Sequence, residues 1–205
     1  MKHNGFEYVD LCLPSGTKWA TCNVGADSEI DCGLYFAWGE TVGYSGITDT
    51  KKFGWRDYKF SKCGSNKFIK YNGTDRKKVL DLKDDAAHIH MGGKWHMPTD
   101  EQIRELIKNT ENIWVTDYNN SGANGRLFTS KINDEKLFFP ACGLRFAEGY
   151  YGLNKSGHFW SSSVDNYCSD CGRDLWFGTV SISTGRGNRT CGLCVRGVFN
   201  MFWVK

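Results

Sequence analysis

Apolar residues recur at helical spacing most clearly after Trp95-His96-Met97-Pro98. There Thr99 can cap a helix, Gln102 stands three residues on as in a capping box, and Ile103, Leu106 and Ile107 fall on one face. A shorter helical stretch is predicted over residues 79–87. Near the start, Phe6-Glu7-Tyr8-Val9-Asp10-Leu11 alternates imperfectly and runs into the turn-prone Pro14-Ser15-Gly16, so a strand and a turn are expected. The aromatic run Leu34-Tyr35-Phe36-Ala37-Trp38-Gly39 predicts a buried strand. Residues 43–71 mix Gly, Lys, Asp and Ser with scattered aromatics, the pattern of a long, irregular, surface-lying insertion. Beyond the main helix come short apolar segments divided by Gly, Asn and Ser: Ile113-Trp114-Val115, Leu127-Phe128, Leu137-Phe138-Phe139, Phe159-Trp160, Leu175-Trp176-Phe177 and residues 195–203. These predict a second half of small strands and loops, hence an α+β fold with its helices in the first half.

Composition narrows this further. With 40% hydrophobic and 24% charged residues, the 205-residue chain has ordinary globular usage, which argues against wholesale disorder. No apolar run approaches the roughly 18 residues of a membrane span, so no membrane insertion is expected. No repeat or low-complexity linker divides the chain, and one domain over residues 1–205 is the expectation. Only 3 prolines, beside 24 glycines and 8 tryptophans, favour tight turns around an aromatic-rich interior over a helical bundle. The net charge of +3 is spread along the chain and supplies no footprint for nucleic acid. The opening Met1-Lys2-His3-Asn4-Gly5 lacks the apolar core of a signal peptide, so the expected location is inside a cell, in the cytoplasm, or in a particle. Nine cysteines leave at least one unpaired in a monomer, and reduced thiols or a metal in a reducing compartment are expected.

Four ordered motifs carry a resemblance: Val9-Asp10-Leu11-Cys12-Leu13-Pro14-Ser15-Gly16-Thr17-Lys18-Trp19-Ala20, Tyr35-Phe36-Ala37-Trp38-Gly39-Glu40-Thr41, Gly93-Lys94-Trp95-His96-Met97-Pro98-Thr99 and Phe159-Trp160-Ser161-Ser162-Ser163. Over about residues 6–198 the chain resembles the Fibrobacter-succinogenes-type major paralogous domain. The resemblance implies a C-type lectin-like fold, similar to that of formylglycine-generating enzymes, with short antiparallel strands, two helices and long irregular loops. Some relatives, in gut Bacteroidetes and their phages, are variable proteins of diversity-generating retroelements, mutated at adenines to change ligand-contacting residues. It follows from the resemblance that a variable ligand-binding region spans about residues 160–198. Its fixed framework would be Trp160, Ser161, Leu175, Phe177, Val195, Arg196 and Val198. Its contact positions would be Tyr167, Arg173, Asp174, Trp176, Gly178, Ser181, Ser183, Arg186, Asn188 and Thr190. Strand geometry supplies a reason, since Leu175 and Phe177 point to one face and Asp174, Trp176 and Gly178 to the other. Cys12, Cys32 and Cys142 depart from the small or aromatic residues usual in the family.

The expected role is recognition of a protein or cell-surface ligand without catalysis and with no required cofactor. Sugar binding is not implied, because the calcium-site tripeptides of sugar-binding lectins are absent. Two alternatives stand beside it: a constant structural or adhesion domain, and a formylglycine-generating-type oxidase, to which no residue-by-residue match exists. Cys168-x-x-Cys171 and Cys191-x-x-Cys194, with 19 residues between the pairs, have spacing suited to a structural tetrahedral zinc with no open position. Two disulfides, free thiols or chance cysteines in a randomised stretch are the other readings. His88-x-His90 reads as a solvated or hydrogen-bonded surface pair. Ser161-Ser162-Ser163 reads as satisfying backbone groups at a strand end. Trp19, Trp38, Trp95 and Trp160 read as core, while Trp176 should stand at least half exposed on a binding face.

Overall fold

A computed structural model of the chain describes residues 1–45 and 51–200. In chain order the strands are β1 (Lys2–His3), β2 (Phe6–Val9), β3 (Lys18–Asn23), β4 (Tyr35–Phe36), β5 (Thr110–Val115), β6 (Gly125–Ser130), β7 (Lys136–Pro140), β8 (Cys142–Phe146), β9 (Gly149–Leu153), β10 (Gly157–Val164), β11 (Cys171–Phe177), β12 (Ile182–Asn188), β13 (Leu193–Cys194) and β14 (Arg196–Phe199). The α-helices are α1 (Ala86–Met91) and α2 (Asp100–Asn109). One sheet runs β1-β2-β3-β14, and β5-β6-β7 form an antiparallel meander. The largest sheet runs β12-β11-β10-β13-β4, with β8 also on β10 and β9 on β8. The fold is therefore mixed α+β with mostly antiparallel sheets, as expected.

Local sequence explains the helices. Thr99 Oγ1 accepts from the Gln102 N–H at 3.2 Å while Gln102 Oε1 accepts from the Thr99 N–H at 2.9 Å, so the capping box is real and satisfies two otherwise orphaned donors. Ile103 and Leu106 are buried and Ile107 is half-buried. The shorter helix lies later than predicted: residues 82–84 form a 3₁₀ turn and α1 starts at Ala86. Its N-cap, Asp85, accepts from His88 N–H at 2.9 Å.

The aromatic interior is held by indole donors. Trp38 donates to Ser161 O at 2.9 Å, Trp160 to Phe36 O at 2.7 Å and Trp95 to His3 O at 3.0 Å. Each is fully buried, as is Trp19. The serine run behaves as expected, with Ser163 Oγ accepting from Asp100 N–H at 3.0 Å and Ser161 Oγ from Ser163 N–H at 3.1 Å. His88 Nδ1 and His90 Nε2 bond the carbonyls of Trp95 and Thr41.

Three expectations are corrected. The insertion is irregular but not surface-lying, because its Phe53, Tyr58, Phe60 and Tyr71 are buried in the core; residues 46–50 of it lie outside the described residues. Reduced thiols do not hold throughout, since Cys32–Cys142 and Cys168–Cys171 are disulfides. Within residues 195–203 the strand is β14, and Met201, Phe202 and Trp203 lie outside the described residues. Among the described residues no helix is long and apolar enough to cross a membrane.

Candidate ligand-binding surface

β10 ends at Val164 and the chain turns into β11 through a short loop. Asp165, almost fully buried, organises this loop: its Oδ1 accepts the N–H groups of Tyr167 at 2.9 Å and Cys168 at 2.8 Å. The Cys168–Cys171 disulfide closes the loop on its far side. Arg173 braces it from β11, donating to Asp165 Oδ2 at 3.1 Å, to Asp100 Oδ1 on α2 at 3.0 Å and to Thr184 Oγ1 on β12 at 2.8 Å. Burial pushes the Asp165 carboxyl up, but the Tyr167 N–H, Arg173 and the Cys168 N–H outweigh it and hold the group below the usual range. Burial also opposes the Arg173 charge, and the carboxylates of Asp100 and Asp165 more than restore it.

The loop so fixed carries Tyr167 outward at 91% exposure. Tyr167 rims two clefts. One of about 280 Å³ is lined by Lys78, Asp100, Arg104, Asp165, Arg173 and Arg186. The other, of about 480 Å³, is lined by Tyr71, Arg76, Lys77, Lys78, Ser169 and Arg189. Arg186 is exposed and reaches only to 3.9 Å from Asp165 Oδ2, so its guanidinium keeps donors for a partner.

The opposite face of the same sheet is open as well. Antiparallel register sets His158 beside Trp176 and Trp176 beside Ser183. Gly157 pairs Gly143, which brings Leu144 next to His158, and Leu144 pairs Tyr151. The row Ser183, Trp176, His158, Leu144, Tyr151 thus crosses β12, β11, β10, β8 and β9 on one face. Along β9, Tyr151 and Leu153 are exposed, and Phe146 on β8 with them.

The expected contact residues divide among these places. Tyr167, Ser181, Ser183 and Arg186 are exposed; Trp176, Gly178 and Asn188 are half-buried. The alternation of Leu175 and Phe177 against Asp174 and Trp176 holds, but two residues of the set are not outward contacts. Asp174 is only 2% exposed and lies beside His158 Nδ1 at 3.3 Å, while Thr190 is buried with its hydroxyl bonded to Asn188 Oδ1 at 2.8 Å. Arg173 is half-buried and spends its donors within the protein. The set also falls on both faces, since Arg186 lies opposite Arg173 while Ser183 lies opposite Trp176.

The zinc expectation finds no support in the arrangement of its four cysteines. Cys168 and Cys171 bond each other, whereas Cys191 and Cys194 are free thiols, the latter buried beside Tyr35. Burial, with the Asp174 charge adding, pushes the Cys191 thiol up to about 11, and burial pushes Cys194 up to about 12. Among the described residues no group of three or more His, Cys, Asp or Glu is placed to hold a metal. Sequence reasoning missed Asp165, Asp100 and His158. Asp165 had a signal, an Asp two residues before the tyrosine it turns; His158 follows from stepping back along the alternation from Trp160. Comparison with protein-family models, with curated proteins and with solved structures finds no significant match to this chain.

Proposed function

We propose that this protein is a non-catalytic recognition domain that binds a protein or cell-surface ligand through Tyr167, Arg186 and Trp176 and the exposed serines of β12 and its approach. One observation carries the reading: an almost fully exposed tyrosine stands between two clefts on a loop tied down by a buried aspartate and a three-way arginine brace. An aromatic carried on a loop whose backbone is already fixed spares the loop's ordering cost on binding, which is how a few residues come to dominate an interface. In the finer form of the proposal the scaffold is C-type lectin-like and its C-terminal region is varied by a retroelement. The four sequence motifs support this form, as do two helices, short strands and a long irregular insertion. The Cys168–Cys171 disulfide favours a second reading, a constant adhesion domain with a disulfide clasp.

Panning a random peptide library against the immobilised chain, with a Tyr167→Ala/Trp176→Ala/Arg186→Ala variant as counter-selector, tests recognition. Clones that lose about tenfold or more in affinity for the variant support it; no enrichment, or clones that bind both equally, overturn it. Amplicon sequencing of codons 160 to 200 across a population separates the two readings. Adenine-confined substitutions at 167, 176 and 186 that spare Leu175, Phe177 and Val195 support diversification, and a uniform stretch leaves the constant domain.

A further inference from the structure

The larger cleft beside Tyr167, of about 480 Å³, is lined unevenly in charge. One side is the segment that carries Arg76, Lys77 and Lys78, and it is fixed against β10. Val164 N–H donates to Lys78 O at 2.9 Å, Leu80 N–H donates to Ser162 O at 2.9 Å, and Val79 bridges Ser163. Lys77 is spent on Asp81, donating at 2.8 and 2.6 Å. Arg76 and Lys78 are exposed, line the cleft, and have side chains that donate to no described residue. The acids nearby are already committed. Asp75 accepts the N–H groups of Tyr71, Asn72 and Lys77 at 2.6, 3.0 and 3.1 Å. Asp165 accepts those of Tyr167 and Cys168 and pairs with Arg173, and Asp170 accepts from Asn66 and Ser169. A further lining residue, Arg189, is fully buried, and its Nη1 has no acceptor among the described residues. No ligand touches that atom. Its charge, offset in part by Asp75 and Asp170, still adds to the positive potential of the cleft.

Two uncommitted, solvent-facing cations with no uncommitted carboxylate beside them are the complement of an acidic ligand. Spacing narrows its form. Arg76 and Lys78 are two residues apart, so their Cα atoms stand no more than about 7 Å from each other. An extended peptide sets side chains i and i+2 on one side at about the same distance. Two carboxylates on such a chain meet each cation in its own place. One phosphate would have to draw both long side chains to a single point, at a larger cost in side-chain entropy. At the rim, the exposed Tyr167 offers a ring and a hydroxyl to the same segment. We propose that this cleft receives an extended acidic segment of a protein partner, with Arg76 and Lys78 each taking one carboxylate of a Glu-x-Glu pattern. The assignment rests on the recognition function proposed above and names the chemistry of its ligand.

The probe is the peptide acetyl-Glu-Gly-Glu-amide, titrated into the ¹⁵N-labelled full chain at low salt, with acetyl-Gln-Gly-Gln-amide as the neutral control. Saturable shifts of the Gly73 and Tyr167 amide signals are expected with the acidic peptide alone, and they should weaken as sodium chloride is added. Arg76→Gln and Lys78→Gln should each weaken binding about threefold and the double variant about tenfold, the weight of exposed charge pairs. Both positions are exposed, so these variants are expected to fold. Lys155→Gln removes an exposed charge outside the cleft and should leave the response unchanged. No saturable shift, equal shifts from the neutral peptide, a response retained in the double variant, or an equal loss in Lys155→Gln overturns the site. Inorganic phosphate that saturates the same signals at lower concentration than the peptide overturns the carboxylate assignment. The two proposals fail separately. Peptides selected on the chain that bind the double variant as tightly as the parent sink the acidic cleft and leave recognition standing. A response to the acidic probe with no selectable peptide sinks recognition and leaves the cleft.

Discussion

Arg173 and Tyr167 look alike in the sequence, two large polar-ended residues in a stretch of alternating character, and the fold gives them opposite work. The Arg173 side chain is 15% exposed and bonds carboxylates that are 14% and 2% exposed, so removing it leaves the buried Asp165 with only the exposed Arg186, 3.9 Å away, as counter-charge. Arg173→Ala is expected to cost about 2–3 kcal/mol in urea unfolding. Tyr167→Ala should stay within about 0.5 kcal/mol, as surface changes do. Equal losses in the two variants would refute this division of labour. The same distinction explains where the sequence misled. Asp174 and Thr190 are polar and alternate with apolar neighbours, which reads as outward, but polarity reports exposure only when no internal partner exists, and the partners here are His158 on β10 and Asn188 at the end of β12. Trp176, placed by alternation on the face opposite Leu175 and Phe177, is half-buried, less open than expected.

Among the elements, α2 was legible to the residue at its N-terminus because a capping box and a helical stripe are both local signals. β12 was not legible. Its sequence, Ile182-Ser183-Thr184-Gly185-Arg186-Gly187-Asn188, holds one apolar residue and two glycines, and it is a strand because β11 pairs with it along its whole length. The glycines are there for what lies beneath. A methyl group at Gly187 would stand 2.7 Å from Cη2 of Trp160, and that ring is pinned through its indole N–H to Phe36 O. Gly187→Ala is therefore an overpacking change against a side chain that cannot yield, expected to cost about 1–3 kcal/mol by thermal or urea unfolding. Gly185→Ala meets only the end of Asp174 and should cost less. A reversed order would show that the Trp160 ring has room to move.

At the scale of the whole molecule, the fold class was readable from periodicity, but the docking of the long insertion was not. Residues 51–80 have no period, and their attachment depends on groups distant in sequence converging on one buried carboxylate. Asp84, 3% exposed, accepts from Lys59 Nζ at 2.7 Å, from Tyr71 Oη at 2.7 Å and from Lys70. Burial pushes the Asp84 carboxyl up, yet these donors prevail and hold it below the ordinary 3.8; Lys70 and Lys77 hold the neighbouring Asp81 down to about 2. Both groups bind a proton less readily folded than unfolded, so in acid the unfolded chain takes up more protons and stability rises with pH. Their contribution is complete above the ordinary carboxylate value and is lost as pH falls toward about 2. The urea midpoint should therefore hold from neutrality to about pH 5 and drop steeply below about 4. Asp84→Asn, which has no proton to take up, should lower the midpoint at neutral pH and flatten the acid slope together, because the pairing that anchors the insertion is the same pairing that acid removes. An acid slope as steep in Asp84→Asn as in the parent would mean that carboxylates elsewhere, Asp165 at the candidate surface among them, carry the acid sensitivity instead.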